Sequence, residues 1–297
     1  MKVAAGLLLA LVIGGGWAAG QTAPVTAADR QIAVVAAENF YGDIARQVGG
    51  DRVAVVSIMS NPDQDPHLFE TTPAVVRQLA NAQVAILNGA NYDPWMDKLL
   101  AAAPRAGRIV INAAQLTGRK SGDNPHVWYD PATMPAMATA LAGELSKLDS
   151  AHAPDYAARL TATLASLARI AQRIAQLKTK HAGTAVTATE PIFGLMVDAL
   201  GLTMRNQRFQ LAMMNDTEPS ARDVAALELD LKEHKVKALI YNSQVSEKLT
   251  ERMRTIAGAA KVPVIAVTET MPAHISFQDW VLGELDAVDK ALSGPNS

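Results

Sequence analysis

The chain contains no cysteine. That absence removes disulfides, thiolate metal ligands and any cysteine that could carry a lipid, and it leaves histidine and carboxylate as the side chains able to hold a metal. An excess of positive charge is also missing. Lys and Arg number 27 against 29 Asp and Glu, a net charge of −2, so there is no electrostatic footprint for nucleic acid. No His-Glu-x-x-His helix, serine triad or phosphate-cradling glycine loop is found, so none of the common hydrolytic or nucleotide-binding classes is offered. Beyond the N-terminus, no apolar run reaches the roughly 20 residues that a membrane-spanning helix needs.

What is present describes a globular protein: 49% hydrophobic and 19% charged residues over 297 positions, long enough for two domains of ordinary size. The first residues read as a secretory leader. Lys2 precedes an apolar run from Val3 to Ile13, followed by Gly14, Gly15 and Gly16 and by small residues through Gly20. Cleavage falls after Gly20 or near Ala27 and Ala28, and residues 1–28 are assigned to the leader; the alternative, a retained anchor, has an apolar run too short to span. An exported, cysteine-free chain belongs in a bacterial periplasm.

The longest uninterrupted pattern runs from Pro154 to Lys180. Leu160, Leu164, Leu167, Ile170, Ile174 and Leu177 recur at three- and four-residue steps, which lines one face of a helix about 40 Å long. Either it is a core helix of one large domain, or it joins two lobes with a site between them. The flanking sequence favours the second. Buried strands are expected at Ile32–Ala36, Val53–Met59, Val84–Leu87 and Ile109–Ile111, then at Ala185–Thr189, Ala238–Tyr241 and Val264–Val267, with helices between them. Glu38, Tyr41, Gly42 and Gly49 match Glu190, Phe193, Gly194 and Gly201 at a separation of 152 (190 less 38), and the same offset pairs Leu79 with Leu231, Val84 with Val236 and Leu87 with Leu239. The expected fold is therefore α/β: two βα (Rossmann-like) lobes at 29–153 and 181–297, each with a parallel sheet, joined by the helix at 154–180.

Two histidines stand in nearly the same local sequence, Asp65-Pro66-His67-Leu68-Phe69 and Asn124-Pro125-His126-Val127-Trp128. The preceding proline fixes its own φ and restricts its neighbour, so each imidazole is presented from stiff backbone. A lone histidine there packs or hydrogen-bonds; a matched pair points to ligation. His152, His181, His234 and His274 read as surface or capping residues, His181 suiting the negative end of the long helix. Ligands of α/β sheets bind beyond the strand carboxyl ends, where Thr189-Glu190 and Thr268-Glu269 place two carboxylates. Each is a candidate ligand or a solvated loop charge, and Glu38, at the equivalent end of the first lobe, is a weaker, supporting candidate. Two imidazoles with two carboxylates would balance a divalent cation and suit zinc or manganese.

With those motifs, Glu190 ahead of Phe193-Gly194 and Thr268-Glu269-Thr270, the chain resembles the zinc- and manganese-type solute-binding proteins of bacterial metal ABC importers (cluster A-I) over essentially its whole mature length. The resemblance implies a monomeric periplasmic receptor, not an enzyme, that holds Mn2+ or Zn2+ between two lobes through His67, His126, Glu190 and Glu269 and delivers it to a membrane permease with its ATPase. Many zinc-type members carry a third histidine where Glu190 stands and a histidine-rich loop where only Leu116–Asp123 is found, so the manganese-type pattern is nearer. Zinc binds most nitrogen and oxygen sites more tightly than manganese, and the ligand set does not exclude it. Two other readings stay open: a secreted metallohydrolase, which needs an open coordination position and a general base, and a bilobal binder of a non-metal solute.

Overall fold

A computed structural model describes residues 31–61, 69, 71–245 and 247–294. The β-branched runs form two parallel sheets. The first is built from β1 (Ile32–Glu38), β2 (Val53–Met59), β3 (Val84–Leu87) and β4 (Ile109–Asn112), and the second from β5 (Ala185–Ala188), β6 (Thr203–Arg205), β7 (Leu239–Asn242) and β8 (Val264–Val267). Their strand orders are β2-β1-β3-β4 and β6-β5-β7-β8, one topology used twice. Central strands such as β3 are buried at every position, as expected where helices cover both faces of a parallel sheet.

The helices are α1 (Asn39–Gly49), α2 (Pro73–Asn81), α3 (Pro94–Ala102), α4 (Ala113–Leu116), α5 (Thr133–Leu148), α6 (Ala153–His181), α7 (Gly194–Ala199), α8 (Gln207–Met214), α9 (Ala221–Lys232), α10 (Lys248–Ala259) and α11 (Phe277–Ser293). Helix α6 is the predicted rod. Pro154 lies in its first turn; Tyr156, Leu167, Ile170, Ile174 and Leu177 are buried; and Lys178, Lys180 and His181 offset the dipole at its last turn. It packs against α1 and α5 of the first lobe and against α11, so it joins the two βα halves, the arrangement that the flanking sequence favours. Sequence periodicity left β6, α3, α8 and α11 unassigned. The last of these matters most, because α11 runs from the second sheet back onto α6 and α1.

The constant offset of 152 holds only in part. Glu38 and Glu190 are both N-cap residues of the helical turn after the first strand of their lobe, and Leu79 and Leu231 are both fully buried. Strands β3 and β4, however, begin 155 positions before β7 and β8 (239 less 84, 264 less 109), so Val84–Val236 and Leu87–Leu239 are not equivalent pairs. The cause is a longer turn after α9, which passes through His234 in the left-handed region.

The lobes are stitched along their seam. Asn39 Nδ2 donates to the Met271 carbonyl at 2.6 Å, and the Met271 N–H donates back to Asn39 Oδ1 at 3.0 Å. Gln47 and Gln278 exchange two amide bonds of 2.9 and 2.8 Å, and Asp43 accepts from the Phe277 N–H at the start of α11. One apolar cluster runs continuously from Ile32 of β1 to Val288 of α11. His181 departs from its expected surface position. It is buried because the end of α6 faces α11, where its Nε2 lies 2.8 Å from Asp289. Asp289 also meets Arg173 and Lys180, and these partners hold its carboxyl well below the usual range.

Candidate metal centre

His67, the first predicted ligand, lies outside the described residues. The other three lie at the carboxyl ends of the sheets, where an α/β fold places its ligands. His126 is the N-cap of a 3-10 turn, Val127–Tyr129, and is 1% exposed. Its ring stands edge-on to Trp128 at 5.3 Å and to Tyr92 at 6.0 Å. Glu190 follows β5 and is half-buried ahead of the turn Pro191–Phe193. Glu269 follows β8 and is 1% exposed.

Among the described residues no group of three or more His, Asp or Glu side chains could by itself hold a metal ion. The three candidates are brought towards one another instead through shared partners. The Tyr92 hydroxyl donates to Glu269 Oε2 at 2.8 Å, and Asn242 Nδ2 donates to Oε1 at 2.6 Å. The Glu269 backbone N–H donates to Gln244 Oε1, whose Nε2 donates to Thr270 Oγ1. A carboxylate this deeply buried is tolerable only with such donors. On the other side, Asn124 contacts His126 and, through Pro191, the loop of Glu190.

Tyr92 was not found by sequence reasoning. It is presented by the β3–α3 loop, which carries Gly89, Ala90 and Asn91 at φ of 78°, 51° and 65° in succession. Left-handed Ala90 is strained, since a Cβ there crowds the following carbonyl. Asp93 holds the loop by accepting from the Asn88 and Gly89 N–H groups at 2.7 and 2.8 Å, and burial pushes its pKa up to about 6. Gly89 admits no side chain, for a Cβ would fall 2.2 Å from Asn112 Oδ1. Nothing in the Gly-Ala-Asn-Tyr-Asp-Pro sequence singles out the tyrosine.

Asn88 ties this loop to the histidine. It accepts from the Tyr41 hydroxyl at 2.8 Å and donates to the Pro125 carbonyl at 2.8 Å, one residue before His126. Glu38 ends β1, wholly buried, with neither carboxylate oxygen hydrogen-bonded among the described residues. Desolvation, with Asp93 nearby, raises its pKa well above the ordinary value.

The family model described as zinc-uptake complex component A, periplasmic (ZnuA), matches residues 34–291. Among characterised relatives, the metal ABC transporter substrate-binding lipoprotein SloC of Streptococcus mutans is 24% identical over 288 residues, covering 90% of this chain and 92% of that protein. The manganese-binding lipoprotein MntA of Bacillus subtilis is 26% identical over 239 residues, 74% of each chain. Among solved structures, the periplasmic zinc-binding protein TroA from Treponema pallidum superposes with a TM-score of 0.75 at 21% identity, covering 88% of this chain and 99% of that one. That last likeness speaks to the bilobal fold.

Proposed function

Because the chain belongs to the zinc-uptake complex component A family, we propose that it is a periplasmic receptor that binds Mn2+ or Zn2+ between its lobes and delivers it to an ABC permease with its ATPase. It works as a binding protein and not as an enzyme. The observation that carries this reading is the Tyr92 bridge: one aromatic side chain lies against the buried imidazole of His126 and hydrogen-bonds the buried carboxylate of Glu269, from opposite lobes. His67, His126, Glu190 and Glu269 are assigned as the ligands, the metal being cargo. Two imidazoles and two carboxylates form a nitrogen and oxygen set that suits both metals and leaves little room for the water a metallohydrolase needs.

The same proposal divides the chain into a leader at 1–28, lobes at 29–153 and 181–297, and a connecting helix at 154–180. Relatives such as SloC and MntA are named as lipoproteins; this chain has no cysteine to take a lipid, which supports a receptor free in the periplasm. Elemental analysis of protein purified without added metal, followed by competition between zinc and manganese, tests the function. His126→Ala and His67→Ala should each weaken binding of both metals by at least about a hundredfold. Undiminished binding in either variant would remove that residue from the ligand set, and a protein that takes up neither metal would favour a non-metal solute.

A further inference from the structure

Asn124 touches both ligand-bearing loops with one amide group. Its Oδ1 accepts from the His126 backbone N–H at 3.1 Å and lies 2.8 Å from His126 Nδ1, while its Nδ2 donates to the Pro191 carbonyl at 2.8 Å. These partners fix which end of the amide is which. A backbone N–H can only donate and a carbonyl can only accept, so the atom facing His126 must be the oxygen and the atom facing Pro191 the nitrogen. An amide oxygen cannot donate, so in the neutral imidazole Nδ1 must carry the hydrogen and Nε2 the lone pair. Free neutral histidine favours the opposite tautomer, with hydrogen on Nε2.

We propose that Asn124 is the positioning residue of the site: it selects the Nδ1–H tautomer of His126, so that Nε2 is the coordinating atom, and it clasps the His126 loop to the Glu190 loop. This rests on the receptor reading above. A second observation shows that the second lobe makes room for the clasp. Gly194, at the start of α7, has no conformational need for glycine, with φ of −58°. A Cβ at Gly194 would nevertheless come within 2.9 Å of Asn124 Nδ2, the sole neighbour among the described residues that it would meet within 4 Å. The glycine that follows Pro-Ile-Phe is thus explained by an asparagine on the other lobe. Partners that orient a metal-binding histidine typically contribute about 10- to 100-fold in affinity.

The test is a long-range 15N–1H correlation spectrum of the imidazoles in metal-free full-length protein, at about pH 8, with zinc and manganese affinities measured by chelator competition. Wild type should show His126 with hydrogen on Nδ1. Asn124→Leu should move it towards Nε2–H and lower both affinities about 10- to 100-fold. Asn124→Asp keeps an acceptor for Nδ1–H and should keep the tautomer, a signature that a general loss of packing would not give. A wild-type ring protonated on Nε2, or an Asn124→Leu variant with both tautomer and affinities of wild type, overturns the proposal. If wild type bound neither metal, the receptor reading would fail while the tautomer spectra still judged the role of Asn124.

Discussion

Replacing Glu284 by glutamine should make the protein more stable at neutral pH and remove part of its pH dependence. Glu284 projects from α11 into the seam. Its Oε1 lies 2.8 Å from the Tyr129 oxygen and 3.4 Å from the Thr268 N–H. The Tyr129 oxygen is also 2.7 Å from the carbonyl of Thr268, the residue before Glu269; that carbonyl can only accept, so the single hydroxyl hydrogen goes there and the protonated Glu284 donates to the Tyr129 oxygen, beneath the loop that carries a proposed ligand. Burial pushes its pKa from 4.5 up to about 8. Between those values the folded protein keeps a proton that the unfolded chain has released, so stability falls as pH rises, by about 1.4 kcal/mol per pH unit. Below about pH 4.5 both states hold the proton and nothing is lost; above about pH 8 the loss is complete. From about pH 5.5 to 7.5 the cost is about 3 kcal/mol. Glutamine fits the same space, offers an amide N–H to the Tyr129 oxygen in place of the acid hydrogen and never ionises. In metal-free protein followed by circular dichroism, Glu284→Gln should match wild type near pH 5 and melt about 5–10 °C higher near pH 7.5. Glu38 and Asp93 also titrate abnormally, but they are common to both proteins and drop out of the difference. Parallel melting curves across this range, or a less stable variant at pH 7.5, would refute the assignment of Glu284 as a buried neutral acid.

Tyr92→Phe removes the donor to Glu269 Oε2 while preserving the ring against His126; it should weaken metal binding about tenfold and, by leaving a buried carboxylate one donor short, lower the stability of the metal-free protein by about 1–3 kcal/mol, the first read by chelator competition and the second by calorimetry. Asn39→Ala breaks the paired bonds to Met271 across the seam and should cost about 1–3 kcal/mol in urea unfolding. An unchanged unfolding midpoint there would mean that these two bonds contribute nothing to holding the lobes together.

What the sequence made legible follows the physics of repetition. The strands and α6 were readable because burial repeats a requirement at many positions, at consecutive residues in the buried strands or at three- to four-residue steps in a helix, and each additional match narrows the choice. The His67 and His126 motifs were readable for a related reason, since proline on one side and an apolar residue on the other marked them as a pair. β6 is three residues long and half-exposed, too short for any period to declare itself. α11 was missed although its face is apolar, because it follows a loop through Met271-Pro272 and His274 that carries no strand after it.

The residues that orient the site escaped for a deeper reason. Tyr92, Asn88, Asn124, Asn242 and Gln244 each act from a single position, in a loop or at a strand end, through individual hydrogen bonds. Nothing in their immediate sequence repeats, and the partners of Asn124 and Tyr92 lie 67 and 177 positions away. Asn124 shows where the limit falls. It was part of the motif that identified His126, and Gly194 was part of the matched pair that suggested duplication, yet neither reading connected them. Gly42, its counterpart, excludes a side chain because Ser57 on the neighbouring strand β2 would collide with it, whereas Gly194 does so because an amide from the other lobe occupies the space. Two matched glycines thus serve a fold in one lobe and an interlobe clasp in the other, a division that only the packing between the lobes could decide.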